Sequence, residues 1–288
     1  MTTSSDVLNR YLFEGLHARG ELVQLDQSYK QIISNHNYPA AVSQLLGELM
    51  AATCLLTATL KFEGEISVQL QGDGPVKYAV INGDHQQQMR GVAKIDGELT
   101  GDSLNNLLGK ANMIITIIPD KGERYQGIVA LEGDSLSQCL EHYFSTSEQL
   151  DTKIWLFADA EQAKAGGSLL QVVPDSDDKE QQLNDFDHIS QLTSTIKAEE
   201  LFNLDANDLL YRLYHAEKVM MFEPQPVSFV CGCSEDKCLS AIANLGVDGI
   251  KEHLSEHQAF NMTCDFCLTQ YRFDEATLSP LLTPKAQH

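Results

Sequence analysis

The sequence is poor in positive charge: 20 Lys and Arg stand against 41 Asp and Glu in 288 residues, a formal charge of −21 at pH 7. Phosphate backbones are held chiefly by cations, so nucleic acid is not an expected partner, and an anionic membrane surface is disfavoured on the same ground. Long apolar runs are also scarce. The most apolar stretch, Leu49 to Leu60, is a dozen residues containing three threonines, short of the roughly 20 that cross a bilayer. The opening MTTSSDVLNRYLFEG has no basic region followed by an apolar one, so no secretory signal is expected and a soluble, cytoplasmic protein is. Phosphate-binding loops are missing as well. Gly72 and Gly74 begin a G-x-G pattern, but position 77 is Lys and a strand pattern follows, while Leu108-Gly109-Lys110-Ala111 lacks the upstream Gly and the following Ser or Thr of a phosphate loop. ATP-driven work is therefore not expected.

What is present is an ordinary globular composition, 43% hydrophobic and 21% charged, in a chain long enough for two domains. The apolar residues from Tyr38 onward, Val42, Leu45, Leu46, Leu49, Met50, Leu55 and Leu56, recur at helical spacing behind Pro39. Strand patterns follow. Ile66, Val68 and Leu70 alternate with polar residues, Gly72-Asp73-Gly74-Pro75 turns, and Val76–Val80 returns. Further strands are expected at Gly91–Ile95, Met113–Ile118, Tyr125–Leu131, Lys153–Phe157 and Leu169–Val173, with a helix from Ser135 to Gln149 whose apolar face includes Cys139. Meandering strands with segregated helices predict an α+β core domain over residues 1–174. An acidic run beginning at Asp175, Asp177 and Asp178 opens a helical linker, 175–230, whose apolar positions need a surface to pack on. Residues 231–288 form a C-terminal module with no strong core of its own.

Seven cysteines without an export signal point to metal ligands, redox groups or buried hydrophobes rather than a static disulfide framework. Cys54 and Cys139 stand alone; Cys231, Cys233, Cys238, Cys264 and Cys267 crowd the last 58 residues. Cys231-Gly-Cys233 and Cys264-Asp-Phe-Cys267 supply two close thiol pairs, the four soft ligands that tetrahedral Zn²⁺ prefers. A closed Cys₄ site is structural rather than Lewis-acidic. A rival set, Cys233, Cys238, His253 and His257, has Cys₂His₂ spacing but leaves three motif cysteines unused and surrounds its helix with Asp248, Glu252 and Glu256. Those histidines read more simply as a solvated helix face, and Cys238 as a bystander. A permanent staple remains one reading of the Cys₄ set. The C-x-C spacing favours another, since two such cysteines reach bonding distance only across a bent backbone, giving a small, easily reduced ring suited to reversible chemistry.

With the flanks RYLFEGLHARGELVQLD, LLGELMAATCLLTATLKFEG and LYHAEKVMMFEPQPV, the C-x-C and C-x-x-C arrangement resembles the redox-regulated holdase chaperones of the heat-shock protein 33 family. That resemblance runs over essentially the whole chain. It implies a non-enzymatic, ATP-independent chaperone, with one Zn²⁺ per chain held in the reduced, inactive form by Cys231, Cys233, Cys264 and Cys267. Under hypochlorous acid, or peroxide with heat, it implies disulfides Cys231–Cys233 and Cys264–Cys267, zinc release, linker unfolding, passage from monomer to homodimer and capture of unfolding client proteins. It assigns no role to Cys54, Cys139 or Cys238. Two other functions stay open: a thiol-disulfide oxidoreductase using Cys264 and Cys267, and a zinc-stapled adaptor that never switches.

Overall fold

The computed structural model describes residues 6–60, 63–174 and 178–282; Asp175 and Asp177 of the acidic run, and Lys61 and Phe62 of a family-like flank, lie outside the described residues. The chain divides into two compact units, Met1–Val230 and Cys231–His288. Along the first unit come β1 (Val7–Phe13), β2 (Ala18–Leu25), α1 (Gln27–Ser34), α2 (Ala40–Thr59), β3 (Gly64–Gly72), β4 (Val76–Asp84), β5 (Gln88–Ile95) and α3 (Leu104–Leu108). Next are β6 (Ala111–Pro119), β7 (Tyr125–Ala130), α4 (Leu136–Tyr143) running into a π-helical turn (Phe144–Glu148), β8 (Thr152–Asp159) and β9 (Lys164–Val172). Then follow α5 (Lys179–Thr193), α6 (Ala198–Asn203), α7 (Ala206–Tyr214) and the short strands β10 (Val219–Met221), β11 (Gln225–Pro226) and β12 (Ser228–Phe229). The second unit holds α8 (Glu235–Ala243), α9 (Gly246–His257), β13 (Ala259–Thr263), β14 (Gln270–Asp274) and α10 (Glu275–Leu282). This is the α+β class read from the sequence, with β1, β2 and β10–β14 added to the strands expected there.

In the first unit two six-stranded sheets sandwich α2. One sheet runs β10-β1-β2-β9-β8, with β11 also on β1; the other runs β12-β5-β4-β3-β6-β7. A helix apolar on every side has to be buried, and 78% of the apolar window of α2 is. At 20 residues this helix has the length and composition of a membrane-crossing one, longer than the dozen apolar residues singled out in the sequence. Its Leu46, Leu49, Met50 and Cys54 meet Val23, Leu25, Val68, Ile81 and Leu169 from the two sheets in one core.

The stretch expected as a linker is helical from Lys179 to Tyr214 and packs against the first sheet. There Phe186, Ile189, Leu201, Leu209 and Tyr214 cover Tyr11, Phe13, Leu22 and Leu170 in a second core. Gly20 is required at this face, because a Cβ would strike the ring of Tyr11. Two of these helices carry side-chain caps: Asp178 Oδ1 accepts from Gln181 N and Asp205 Oδ1 from Asp208 N, both at 3.0 Å. A buried hydroxyl chain also joins helices to sheet, with Thr193 Oγ1 2.7 Å from Tyr214 OH and Tyr214 OH 3.4 Å from Tyr11 OH. Midway along α5, Asp185 Oδ2 lies 2.7 Å from His17 Nδ1. Burial works to raise the Asp185 carboxyl, but its bonds with His17 and Gln181 prevail and hold it below its usual range. After α7 the chain returns to the sheets, β10 and β11 pairing with β1 and β12 with β5. The second unit does have a core, a small one of Ile242, Ile250, Phe260, Phe273 and Leu278, where the sequence reading saw none of note.

Candidate metal centre

Cys231 and Cys233 lie on irregular chain just ahead of α8. Ser234 caps that helix by accepting from Lys237 N at 3.3 Å, and Lys237 Nζ donates to the carbonyl of Gly232 at 2.6 Å. The first turn of α8 thus reaches back and braces the C-x-C bend. Cys264-Asp-Phe-Cys267 is the turn of the β13–β14 hairpin, which closes at Thr263 opposite Gln270. Cys264 N donates to Thr269 O (2.9 Å) and Leu268 N to Cys264 O (2.8 Å). Leu268 takes a left-handed φ of 58° to complete that turn, a conformation non-glycine residues adopt at a cost.

All four cysteines are half-buried free thiols, and their Sγ atoms lie within 4.8 Å of one another. Cys231 Sγ lies 3.6 Å from Cys264 Sγ, and Cys233 Sγ 3.4 Å from Cys267 Sγ. Sulfurs about 2.3 Å from a tetrahedral Zn²⁺ stand about 3.8 Å apart, so the quartet fits that ion in spacing as well as in donor softness. Both short approaches run between the motifs, not within them.

Electrostatics divides the four. Burial pushes the Cys231 thiol up to about 12 and raises Cys264. Burial raises Cys267 too, but hydrogen bonds with the Thr269 side chain and backbone and with neighbouring sulfurs outweigh it and bring the thiol down to about 6. Thr269 Oγ1 lies 3.2 Å from Cys267 Sγ, and Tyr271 OH donates to Cys233 Sγ at 3.2 Å. That bond, first of all, raises the phenol of Tyr271.

The other cysteines are elsewhere. Cys54 and Cys139 are buried in the first unit, and burial raises both thiols. Cys238 packs half-buried against the small core. His253 stacks on Phe260 with ring centroids 3.9 Å apart, and His257 is exposed; among the described residues no cluster of three potential ligands includes either histidine. Sequence reasoning missed Lys237, Thr269 and Tyr271. No sequence spacing pointed to the last two, because Leu268 bends the chain between Cys267 and Thr269 and Tyr271 reaches Cys233, which is distant in the chain.

The family model described as Hsp33 protein matches residues 6–274. The 33 kDa chaperonin of Colwellia psychrerythraea is 59% identical over 98% of this chain and 99% of that protein. Its counterpart from Pseudoalteromonas translucida is 54% identical over 94% and 96%. The crystal structure of the 33 kDa chaperonin (heat shock protein 33 homolog) from Thermotoga maritima has the same fold, with a TM-score of 0.82 over 96% of this chain and 98% of that one at 19% identity.

Proposed function

This chain belongs to the Hsp33 family, and on that premise we propose that it is a cytoplasmic, ATP-independent, non-enzymatic stress chaperone switched by the redox state of Cys231, Cys233, Cys264 and Cys267. The gathering of those four sulfurs within 4.8 Å, on a unit whose core among the described residues is a small cluster of five buried apolar side chains, carries the reading. When bound, Zn²⁺ supplies a closed four-coordinate crosslink between the C-x-C bend and the hairpin turn. Lys237, Thr269 and Tyr271 hold that bend and those sulfurs in place by the bonds described above.

On oxidation, each pair of thiols forms one S–S bond and gives up two protons and two electrons. Hypochlorous acid takes the electrons and leaves as chloride and water; peroxide leaves as two waters. Thiolate sulfur of this cluster is the nucleophile that attacks the oxidant. The proposed bonds are Cys231–Cys233 and Cys264–Cys267, so each sulfur turns from its close neighbour in the opposite motif to its own partner. Structural zinc in small cysteine modules is worth about 10–16 kcal/mol apparent, and a module this size has little else to hold it folded. Its unfolding weakens the docking of α5–α7, whose apolar faces, with those they cover, are then offered to unfolding clients; dimerisation accompanies this step.

The test is one titration with oxidant that follows zinc release, thiol count and light scattering of a denaturing client together. One zinc per reduced chain, lost as four thiols disappear and suppression rises, is the expected outcome; equal suppression by both forms removes the switch. The backbone setting does not favour the oxidoreductase reading: Cys264 and Cys267 sit in a hairpin turn rather than at a helix start, where dipole and N–H groups lower an attacking thiol.

A further inference from the structure

We propose that the outer edge of β7 is a docking strand for an extended, uncharged segment of an unfolding polypeptide; the proposal rests on the chaperone reading and deepens it. Sheet edges are hazards that proteins guard with charge, proline, brevity or cover. The other edges of the two sheets are guarded. On β8, Glu141 Oε1 accepts from the outward Ile154 N–H at 2.9 Å and its other oxygen pairs with Lys153 at 3.0 Å. β10, β11 and β12 are two or three residues long.

β7 has none of these devices. It is six residues, Tyr-Gln-Gly-Ile-Val-Ala, without charge or proline, and mostly exposed. Its register with β6 and the bond from Leu131 N to Ala111 O set the hydrogen-bonding alternation. Tyr125, Gly127 and Val129 therefore bond inward to β6, while the N–H and C=O of Gln126 and Ile128 point away from the sheet. Among the described residues no backbone bond is made to those four groups. The strand also exposes apolar side chains, one on each face of the sheet: Ile128 is 65% exposed and Tyr125, three residues before it, 46%. An added strand would find both main-chain partners and apolar neighbours there.

Charge selects the occupant. Beyond the C-terminal end of β7 stand Glu132 and Asp134, whereas at its start Asp120 and Glu123 are balanced by Lys121 and Arg124. An antiparallel guest is matched when a cation precedes its uncharged run. Because the edge is open while the thiols are reduced, it acts as a fixed, weak anchor, and the surfaces freed by oxidation add to it.

The first arm of the test uses the reduced, zinc-loaded full chain and an acetylated peptide of alternating Thr and Val with one leading Lys. Peptide should slow exchange of the Gln126 and Ile128 amides and leave those of Val129 and Leu131 unchanged. In the second arm, Gln126→Pro with Ile128→Pro removes both outward N–H groups, and the oxidised variant should bind client about tenfold more weakly, as expected for two lost backbone bonds. Gln126→Ala with Ile128→Ala, which loses the same side chains and the Gln126–Thr116 bond but keeps the N–H groups, should bind more tightly than the proline variant. Ile128→Thr, which keeps the N–H groups, should fall between wild type and the proline variant. Unchanged exchange with peptide, or suppression by the proline variant equal to wild type, overturns the proposal. Protection that grows with protein concentration alone assigns the edge to a second copy and also overturns it. If oxidised wild type suppresses nothing, the chaperone reading fails, while the peptide arm still reports on β7 itself.

Discussion

The first unit buries a 20-residue helix between two sheets and backs one of them with three more helices, while the second, among the described residues, gathers a cluster of five buried apolar side chains and four sulfurs. Apolar burial is indifferent to oxidants; sulfur ligation is not. Vulnerability to oxidation is thus concentrated where there is least core to resist it, and the larger unit keeps its lone thiols, Cys54 and Cys139, buried and protonated.

The sharpest way to break that contrast is Cys264→Ser. It should abolish stoichiometric zinc binding and the roughly 10 kcal/mol it brings, so that amides of α8–α10 exchange freely while those of α2 stay protected. Slow exchange in both units would show that the tail folds without its sulfurs. Within the first unit, Leu209→Ala empties a site in the second core where the side chain is fully buried, and should cost about 2–5 kcal/mol. Exchange should quicken in α5–α7 before it does in β3 and β4; uniform quickening would mean that the helices do not open separately.

A third effect depends on pH. Glu21 is 2% exposed, and burial pushes its carboxyl from 4.5 to about 7 against the pull of Arg19 and Arg10. Its folded value lies above its unfolded one, so it contributes nothing near pH 4, becomes destabilising as pH rises from about 4.5, and reaches its full cost above about 7. At 1.36 kcal/mol per unit that cost is about 3 kcal/mol. Glu21→Gln should therefore raise the denaturant midpoint at pH 8 and leave it unchanged at pH 4; the same shift at both values would place the effect in packing rather than charge. Smallest of all, Lys218→Ala removes an ion pair with Glu14 whose side chains are 82% and 70% exposed, and should move stability by no more than about 0.5 kcal/mol.

Much of the first unit was legible because its elements keep one clean period. β3 alternates Ile66, Val68 and Leu70 against polar neighbours, and the apolar residues of α2 and α4 recur at helical spacing. β1 and β2 escaped notice for a physical reason: with α2 on one face and α5–α7 on the other, β2 is buried on both, so its alternation is erased, and Gly20 and buried Glu21 disguise it further. The small core was equally hidden, since Ile242, Ile250, Phe260, Phe273 and Leu278 are far apart in the chain and share no period. The four sulfurs announced themselves by spacing alone. Which sulfur lies nearest which did not follow from spacing, because that depends on how the hairpin turn meets the C-x-C bend.

The return of the chain to the sheets after α7 sets how the molecule could reset. Residues 173–218 run between β9 and β10, which flank β2 and β1 in one sheet, so their anchor points are three strand spacings apart, about 14 Å. Helices lifted off this sheet stay leashed at both ends. Re-docking is then a search within a closed loop, independent of protein concentration, and it can run as soon as whatever occupies the exposed surface has left.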